Sequence, residues 1–461
     1  MNIRSKATVA RCDAETVQDI LDREKRPVPA ALRQENYTYV GSDPLPVERW
    51  ISQEFLEREK QTVWKRTWQM ACREEDIPKV GDHVVYEIND DSLIVVRSAP
   101  GEIRAFHNSC LHRGRRLRDI GGSVSQFRCP YHAFTWDLKG RSTFIPCKWD
   151  FNQIDQETFR LPEAKVDTWG GFVFINFDLN ARPLSEYLGV VPEHFKDWNY
   201  EKKVKIAHVA KFANFNWKVG VEAFIESFHV IQTHPQIMPS TGDANTQYDN
   251  YEGEHFNRMI TAMAVPSPHL DRRPSEQEIV NAMSGRSKRT MGDASPQALS
   301  VPPGRTAREF MADAARAMIA ERAGIDLSKA TDSEMLDAIQ YFVFPNFFPW
   351  GGYGSNIIYR FRPARNSPDW CFMEVMLIDN PPKEGPRPAP AQMRLLGEDE
   401  PWSNASELGS LGAVFDQDFG NMPNVQKGLK ASATRVVNLG NYQESRIRDL
   451  HRLVDRYVDG G

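Results

Sequence analysis

The sequence is poor in cysteine and contains no long apolar run. Six cysteines among 461 residues are too few for a disulfide-stabilised scaffold. No apolar stretch approaches the roughly 18 residues that span a bilayer, and the opening MNIRSKATVARCDAETVQD has no apolar signal core. We therefore expect a cytoplasmic protein that does not enter a membrane, in a reducing compartment where thiols are free to bind metal.

An excess of charge and a nucleotide-binding loop are also missing. A formal net charge of −5 gives no strong attraction to nucleic acid or anionic lipid. No glycine-rich dinucleotide motif follows a predicted strand, so any NAD(P)H would be bound by a separate protein. The apolar fraction of 41% and the 11 tryptophans are sufficient for a large core. At about 150 residues per domain, this length predicts two or three domains.

The sequence pattern divides the chain into an arm and two larger segments. Residues 1–46 are polar and interrupted by proline, as in an irregular arm. In residues 47–178, a predicted helix at 47–68 leads into short strands, HVVYEI, SLIVVRS, EIRAFHN and GGFVFINF. Residues 179–461 mix strands with helices. This order of elements predicts the α+β class, with a small β domain first.

The second large segment shows strands, helices and a long polar insert. Its predicted strands are KIAHVAKFAN, QYFVFPNFF, SNIIYRFRP and WCFMEVMLID. The insert covers about 239–340 and includes a helix that ends at Gly324. Further helices are predicted at WKVGVEAFIESFHVIQTH, near Glu407–Phe415 and at Tyr442–Val458. The pattern predicts an antiparallel sheet covered by helices, with the insert as a possible lid.

Two short loops each carry one cysteine and one histidine. Cys110-Leu-His112 is followed, after sixteen residues, by Cys129-Pro-Tyr-His132. Zinc accepts two Cys and two His, but zinc fingers pair cysteine with cysteine and histidine with histidine. One of each per loop suits a [2Fe–2S] cluster in which two Cys hold one iron and two His hold the other. A zinc site and a chance spacing of buried residues are the alternatives.

A second cluster combines two histidines with a carboxylate. Glu226 and His229 are three residues apart and share one helix face. His229 and His234 are five apart, so the helix must widen or end between them, and Pro235 predicts an end. With a carboxylate from elsewhere, two histidines form the facial triad that leaves positions open on Fe(II). Two ordinary histidines beside an amphipathic helix are the alternative.

Together, C-x-H-x16-C-x2-H followed by YHAFTWDLKG, and E-x2-H-x4-H after NWK, resemble Rieske non-haem iron aromatic-ring-hydroxylating oxygenases, large (alpha) subunit. The resemblance implies a Rieske [2Fe–2S] β domain followed by a helix-grip (START-like) catalytic domain with an antiparallel sheet. It implies the cluster ligands Cys110, His112, Cys129 and His132. It implies that His229 and His234 bind a mononuclear Fe(II). Ala133 stands where the family often has glycine, and we expect its single methyl group to be tolerated.

The resemblance also implies three further site residues. In VFDQDFGNMPNVQKGL, Asp416 and Asp418 are candidates for the third iron ligand, and the spacing to Gln426 favours Asp418. Glu226 replaces the family aspartate that bridges an iron-site His to a Rieske His of the neighbouring subunit. Asn216 matches a family asparagine close to the iron. Since some quaternary-amine monooxygenases also carry Glu at the bridging position, Glu226 weakens the assignment to arene cis-dihydroxylation.

The implied function is that of a terminal oxygenase component. It uses O₂ and electrons from NAD(P)H, delivered by a separate reductase with or without a ferredoxin. We expect cis-dihydroxylation of an aromatic or other small apolar substrate. A monooxygenase or demethylase acting on a quaternary amine or alicyclic substrate is the alternative, and a non-enzymatic Rieske electron carrier is an alternative of another class. An inter-subunit relay implies a homotrimer, or α₃β₃ with a small subunit.

Several other residues leave two interpretations open. The aromatic run FVFPNFFPWGGY either lines a pocket or forms sheet core. Arg360 and Arg362 share one strand face and either meet a substrate carboxylate or lie exposed. Glu222 shares a helix face with Glu226, and we expect a structural pairing for it. The arginines near the cluster either attract an acidic electron donor or form a solvated loop: they are Arg113, Arg115, Arg116 and Arg118.

Overall fold

Antiparallel β-structure forms both large segments of the chain. The computed structural model describes residues 10–285, 299–354 and 356–460. Residues 1–9 of the predicted arm, 286–298 of the predicted insert and residue 355 of the predicted strand SNIIYRFRP lie outside the described residues. None of the described helices has the length and apolar character needed to cross a membrane.

The described elements have these bounds. The helices are α1 (Val17–Leu21), α2 (Ala30–Arg33), α3 (Glu48–Ile51), α4 (Gln53–Gln61), α5 (Val63–Arg66), α6 (Leu184–Leu188), α7 (Val191–Phe195), α8 (Trp217–Ala223), α9 (Val230–Thr233), α10 (Glu276–Ser284), α11 (Ala307–Ala323), α12 (Asp332–Leu336), α13 (Leu411–Ala431) and α14 (Ser445–Val458). The strands are β1 (Leu45–Pro46), β2 (Gln69–Arg73), β3 (Asp82–Ile88), β4 (Asp91–Ala99), β5 (Glu102–His107), β6 (Gly122–Ser123), β7 (Phe127–Arg128), β8 (Thr135–Trp136), β9 (Ser142–Phe144), β10 (Glu163–Trp169), β11 (Phe172–Asn176), β12 (Val204–Ala213), β13 (Gln247–Asn250), β14 (Phe256–Thr261), β15 (Ala338–Val343), β16 (Phe348–Pro349), β17 (Ile357–Ala364), β18 (Ser367–Asp379), β19 (Arg394–Leu395) and β20 (Val436–Val437).

The first segment contains a larger and a smaller sheet. The larger has the strand order β2-β11-β10-β5-β4-β3-β6, and the smaller has the order β7-β8-β9. Apolar side chains from both sheets, Ile94, Phe106, Phe127 and Trp136 among them, form one buried cluster around the two motif cysteines. The predicted strands at HVVYEI, SLIVVRS and EIRAFHN are present as β3, β4 and β5. The two Cys-His loops therefore project from a rigid β scaffold.

The second segment is built on an antiparallel sheet with the order β16-β17-β18-β12, and β19 joins β12 in parallel. A further sheet, β13-β14-β15, connects to it through bridges between Gln340 and Trp350 and between Val343 and Phe347. Helix α14 packs on β13 and β14 and contacts α4 and α5. Its apolar positions are buried, as the sequence stripe predicts. The predicted α+β class and domain order are confirmed.

The structure differs from the predicted elements at several boundaries. The helix predicted at 47–68 is divided into α3, α4 and α5, because Ser52 is extended and its side chain caps α4 at the N–H of Phe55. The helix predicted to end near Phe415 continues to Ala431 as α13. The predicted insert supplies β13, β14 and the start of β15, so part of it belongs to a sheet of the fold.

Candidate metal centres

The two Cys-His loops have the same backbone hydrogen-bond pattern. In each, the cysteine carbonyl accepts the N–H of the residue four positions later, and the cysteine N–H donates to the carbonyl five positions later. The pairs are Gly114 N–H to Cys110 O (2.9 Å), Cys110 N–H to Arg115 O (2.8 Å), Ala133 N–H to Cys129 O (3.0 Å) and Cys129 N–H to Phe134 O (2.8 Å). Gly114 (φ +75°) and Ala133 (φ +65°) are both left-handed. The methyl group of Ala133 is therefore strained there, by about 1–2 kcal/mol, which qualifies the expectation that it is tolerated.

Four donor groups meet where these loops face each other. Cys110 and Cys129 are buried free thiols in hydrogen-bond contact with each other. The rings of His112 and His132 lie 4.7 Å apart between centroids. The Nδ1 atom of each ring is buried and has no hydrogen-bond partner among the described residues, which is costly unless a ligand binds there. This donor set fits a [2Fe–2S] cluster held by two thiolates and two imidazole nitrogens.

Aromatic side chains cover the imidazoles unequally. Phe134 stacks on His112 at 4.7 Å, whereas the ring over His132 is that of Tyr131, which is 56% exposed. Arg113 lies over Tyr131 at 5.2 Å. An exposed ring thus lies over His132, whereas a buried ring lies over His112.

The other arginines of this loop are engaged within the first segment. Arg115 pairs with Asp119 at 2.7 Å, and Arg116 pairs with Glu87. Arg118 donates to His83 Nε2 at 3.0 Å. Attraction of an acidic electron donor by these side chains remains a prediction.

The histidines of the second cluster flank one short helix. Helix α8 ends at Ala223, and α9 begins only after a non-helical segment, residues 224–228. His229 immediately precedes α9, and His234 immediately follows it. The predicted helix end before Pro235 is therefore present. Both imidazoles project from the ends of a single turn, which brings them to one side.

Asp418 of α13 completes this cluster. Its Oδ1 lies 2.8 Å from His234 Nε2 and 3.7 Å from His229 Nε2. One ligand atom from each of the three residues lies within 4.8 Å of the others. His234 and Asp418 are buried, while the His229 side chain is 27% exposed. Two imidazoles and one carboxylate on one face are the donor set of non-haem Fe(II) sites.

The opposite nitrogen of each imidazole is held by another side chain. Glu226 Oε1 accepts the Nδ1–H of His229 at 2.5 Å, and Glu226 Oε2 accepts its backbone N–H at 3.0 Å. Gln417 Oε1 lies 2.8 Å from His234 Nδ1. Such partners fix the tautomer and direct Nε2 toward a metal. Gln417 was not predicted, although it directly precedes Asp418 in the sequence.

The charges around the cluster favour a cation. Burial alone would lower the pKa of His229, but the carboxylates of Glu226 and Asp418 raise it to about 9. Burial and the nearby charge of Asp418 raise the pKa of the Tyr359 hydroxyl. The rings of Phe224 and Phe415 lie 4.8 Å and 6.0 Å from that of Tyr359. The Asp418 carboxylate therefore lies near a buried aromatic surface formed by Tyr359 and its neighbours.

The two aspartates of α13 have different partners. Asp416 accepts the backbone N–H groups of Trp402 (2.6 Å) and Ser403 (3.1 Å), so it stabilises a turn. Asp418 is the one that reaches the histidines. The side-chain Oε1 of Gln426 accepts the backbone N–H of Asn216 at 3.1 Å, which ties α13 to the start of α8.

Asn216 is placed in the scaffold and not among the donor atoms. Its Oδ1 caps α8 at the N–H of Lys218 (3.0 Å), and its Nδ2 donates to the carbonyls of Trp50 (2.8 Å) and Pro368 (2.9 Å). These bonds use its amide fully. The structure thus gives the predicted catalytic residue Asn216 a positioning role beneath the site.

The remaining predictions on charged residues are settled by burial. Arg360 and Arg362 both pair with the buried Glu374, so the predictions of a substrate carboxylate contact and of solvent exposure are wrong. Glu222 accepts from Trp50 Nε1 (2.7 Å) and His451 Nε2 (2.8 Å), which is structural pairing.

Most of the aromatic run FVFPNFFPWGGY forms sheet core, which is one of its two predicted interpretations. Its rings at Phe342, Phe344, Phe347 and Phe348 are buried core. Two rings of the run also lie near Tyr359, Phe348 at 6.3 Å and Trp350 at 6.1 Å between centroids. The run therefore packs the sheet and, through Phe348 and Trp350, borders the aromatic surface at Tyr359.

Two known families match the chain. Residues 67–155 match the family described as Rieske [2Fe-2S] domain, and residues 193–460 match the one described as ring hydroxylating alpha subunit (catalytic domain). Both segments lie inside the predicted domains, whose boundaries at 47–178 and 179–461 remain predictions.

Curated relatives include monooxygenases and a dioxygenase. The glycine betaine monooxygenase oxygenase subunit of Pseudomonas aeruginosa is 26% identical over 53% of this chain and 56% of its own. The biphenyl 2,3-dioxygenase subunit alpha of Rhodococcus jostii is 32% identical over 38% and 39%. The carnitine monooxygenase oxygenase subunit of Acinetobacter pittii is 28% identical over 44% and 54%. The chain thus spans about half the length, or less, of these relatives.

Solved structures show the same fold. A quaternary ammonium Rieske monooxygenase has a TM-score of 0.63 at 16% identity, covering 91% of this chain and 96% of the other. A naphthalene 1,2-dioxygenase has a TM-score of 0.62 at 19% identity, covering 91% and 93%. At these identities the likeness extends to the fold alone.

Proposed function

Because the chain belongs to the ring-hydroxylating alpha subunit family and carries a Rieske domain before its catalytic domain, we propose that it is the terminal oxygenase component of a Rieske oxygenase system. The observation that carries this proposal is the meeting of His229, His234 and Asp418, with Glu226 on the far side of His229. A protein that only carried electrons would have no need of this second donor set. The non-enzymatic carrier is therefore disfavoured.

The residues at the two centres have separable roles. When bound, the cluster supplies single electrons, and an open-sided Fe(II) supplies a place where dioxygen is reduced beside a substrate. Asp418 Oδ1 and the two Nε2 atoms would hold the metal. Glu226 and Gln417 accept the Nδ1–H groups, so that each imidazole would present a deprotonated Nε2.

The favoured reaction is monooxygenation of a quaternary-amine substrate, which reverses the order of the two predicted reactions. Two of the relatives described above act on glycine betaine and carnitine. The aromatic faces of Phe224, Tyr359 and Phe415 beside Asp418 suit a quaternary ammonium group through cation–π attraction. Hydroxylation of an N-methyl carbon consumes O₂, two electrons and two protons and gives water and an unstable N-hydroxymethyl product. That product releases formaldehyde and the demethylated amine.

Cis-dihydroxylation of an aromatic ring is the second candidate. The biphenyl dioxygenase relative favours it, with the highest identity of the three relatives described. The aromatic surface beside Asp418 also suits a flat apolar ring. In this case both oxygen atoms enter the substrate and no formaldehyde is formed.

The partners belong to the same proposal. We expect a separate NAD(P)H-dependent reductase, with or without a ferredoxin. We also expect a homotrimer or an α₃β₃ assembly, in which Glu226 of one copy faces the cluster of the next.

A substrate panel under ¹⁸O₂ tests the proposal. The purified protein, a reductase and NADH are incubated with glycine betaine, carnitine, choline, biphenyl and naphthalene. The favoured reaction gives formaldehyde and a demethylated amine in amounts matching NADH consumption. A cis-diol with two ¹⁸O atoms supports the second candidate. NADH-driven cluster reduction without any oxygenated product across a wide panel contradicts the oxygenase proposal.

A further inference from the structure

The segment that carries Glu226 is held by side chains from outside the metal site. Residues 224–228 are non-helical, so the carbonyls of Phe224 and Ile225 lack the backbone partners that a continuous helix would provide. The carbonyl of Phe224 accepts from Gln340 Nε2 at 2.6 Å. The carbonyl of Ile225 accepts from Arg446 Nη1 at 3.1 Å. Both bonds lie immediately before Glu226.

One guanidinium controls both of these bonds. Arg446 Nη1 also donates to Gln340 Oε1 at 2.9 Å, which orients the amide that binds Phe224. Arg446 Nε donates to Asn257 Oδ1 at 2.6 Å. Asn257 in turn donates from Nδ2 to Asp449 Oδ2 at 2.9 Å. All of these side chains are buried. The guanidinium is therefore held on one side by Asn257 and on the other by Gln340 and the Ile225 carbonyl.

Burial of the charged Arg446 side chain is energetically unfavourable if the residue only packs the core. No described carboxylate lies within 4 Å of it, and its Nη2 is buried without a hydrogen-bond partner among the described residues. Burial lowers its pKa to about 9, so it stays charged at neutral pH. Burial of a charge without an ion pair costs several kcal/mol.

We infer that Arg446 is a positioning residue for the proposed iron site, acting through the carbonyls of Phe224 and Ile225 on Glu226 and His229. The inference rests on the proposed function. Arg446 fixes the backbone one residue before Glu226, and so sets the direction of the carboxylate that holds His229 Nδ1. Without it, the segment loses two fixed carbonyls and the His229 ring loses its set orientation.

Helix α14 offers a matched control. Arg448 is also buried and also donates to carbonyls, those of Gly440 (3.1 Å), Asp43 (3.0 Å) and Leu439. Those carbonyls belong to the connection before α14 and to the arm. Arg446→Gln and Arg448→Gln therefore remove the same chemistry from one helix, and only the first removes it from the segment that carries Glu226.

Iron binding and its spectroscopic signature test the inference. The affinity of the mononuclear site for Fe(II) is measured by chelator competition in the holoprotein, with the cluster EPR signal quantified in each sample. The EPR spectrum of the nitric oxide adduct reports the ligand geometry. We expect Arg446→Gln to weaken Fe(II) binding by up to about 10-fold and to change that spectrum. Losing a direct outer partner of a metal ligand costs about 10- to 100-fold, and Arg446 acts one contact further out. Arg446→Lys should recover part of the affinity, and Arg448→Gln should retain all of it.

A second variant covers a failure of Arg446→Gln to fold. Gln340→Met removes the bond to Phe224 without a change of charge, and we expect weaker Fe(II) binding with the cluster signal intact. Unchanged affinity and spectrum in whichever of these variants folds, or an equal loss in Arg448→Gln, would overturn the inference. Absence of mononuclear iron from the unmodified protein would instead overturn the proposed function.

Discussion

Glu226 holds His229 at two atoms, accepting its Nδ1–H at 2.5 Å and its backbone N–H at 3.0 Å. The carboxylate therefore fixes both the ring and the start of the turn between the two histidines.

Glu226→Gln is expected to reduce turnover by about 10- to 100-fold, because the amide is a weaker acceptor and carries no charge. The matched control is Glu222→Gln, one helical turn earlier. Burial raises the pKa of Glu222 to about 8, so this group is already mostly neutral at pH 7 and its replacement should leave turnover near normal. Steady-state kinetics with the cluster content measured in parallel compares the two. Equal losses in both variants would refute a specific role for Glu226.

Asp418→Asn and Asp416→Asn are expected to separate iron binding from stability. Asp418→Asn should lose the mononuclear iron with little change in the unfolding midpoint. Asp416→Asn should keep the iron but lower the free energy of unfolding by about 1–3 kcal/mol, since two N–H groups lose a charged acceptor. Metal analysis and thermal unfolding measure the two effects. Loss of iron in Asp416→Asn alone would reverse the ligand assignment.

Ala133→Gly is expected to stabilise the cluster domain by about 1 kcal/mol or less. Relief of the left-handed alanine returns about 1–2 kcal/mol, and the greater freedom of the unfolded chain offsets about 0.4–1 kcal/mol of it. Gly114→Ala, at the equivalent position of the other loop, should have the opposite effect. The midpoint of thermal bleaching of the cluster absorbance reports both. A lower midpoint for Ala133→Gly would show that the methyl group contributes packing instead of strain.

The protein is expected to lose stability in weak acid through two buried histidines. Burial, with the charge of Arg258, lowers the pKa of His194 to about 4. Burial, with Arg456 and Arg182, lowers the pKa of His255 to about 3. Both pKa values lie below the histidine pKa of about 6.5 in the unfolded chain. At pH values between the folded and the unfolded pKa, the unfolded chain therefore binds more protons than the folded protein. The contribution of these histidines to the free energy of unfolding is fully present above about pH 6.5. It falls by about 2 kcal/mol per histidine by about pH 5.

Denaturant unfolding at pH 7.5 and pH 5 tests this dependence. His194→Gln and His255→Gln should each reduce the loss between the two pH values. The exposed His269 provides the control, since His269→Gln should leave the loss unchanged. If the two buried substitutions had no effect on the pH dependence, other groups would have to account for the acid sensitivity.

Local signals in the sequence were sufficient for much of the fold. Short apolar runs between Gly, Asp and Pro turns predicted β3, β4 and β5 closely. The apolar stripe from Ile447 to Val458 predicted α14. The division at Ser52 was missed because apolar spacing continues across it. The strands β13 and β14 were missed because their polar side chains, such as Asp249 and Arg258, are satisfied by each other inside the fold. In the sequence alone, segments with such polar residues resemble loops.

The ligand residues were accessible from spacing, whereas their supporting contacts were not. Cys110, His112, Cys129 and His132 occur at a distinctive spacing, and the structure brings them together. Gln417 is 183 residues from His234, and Arg446 is 221 residues from its partner Ile225, so no local pattern marks them. The Arg360 interpretations were wrong because its partner, Glu374, lies on the adjacent strand, and pairing across a sheet depends on register.

Iron and acid-labile sulfide, counted per chain in the purified protein, test the central claim most directly. A [2Fe–2S] cluster and a separate facial-triad iron predict about three iron atoms and two sulfides per chain. Asp418→Ala should lower the count to about two irons with the sulfide unchanged. Two irons in the unmodified protein, or a colourless protein that contains zinc, would contradict the account.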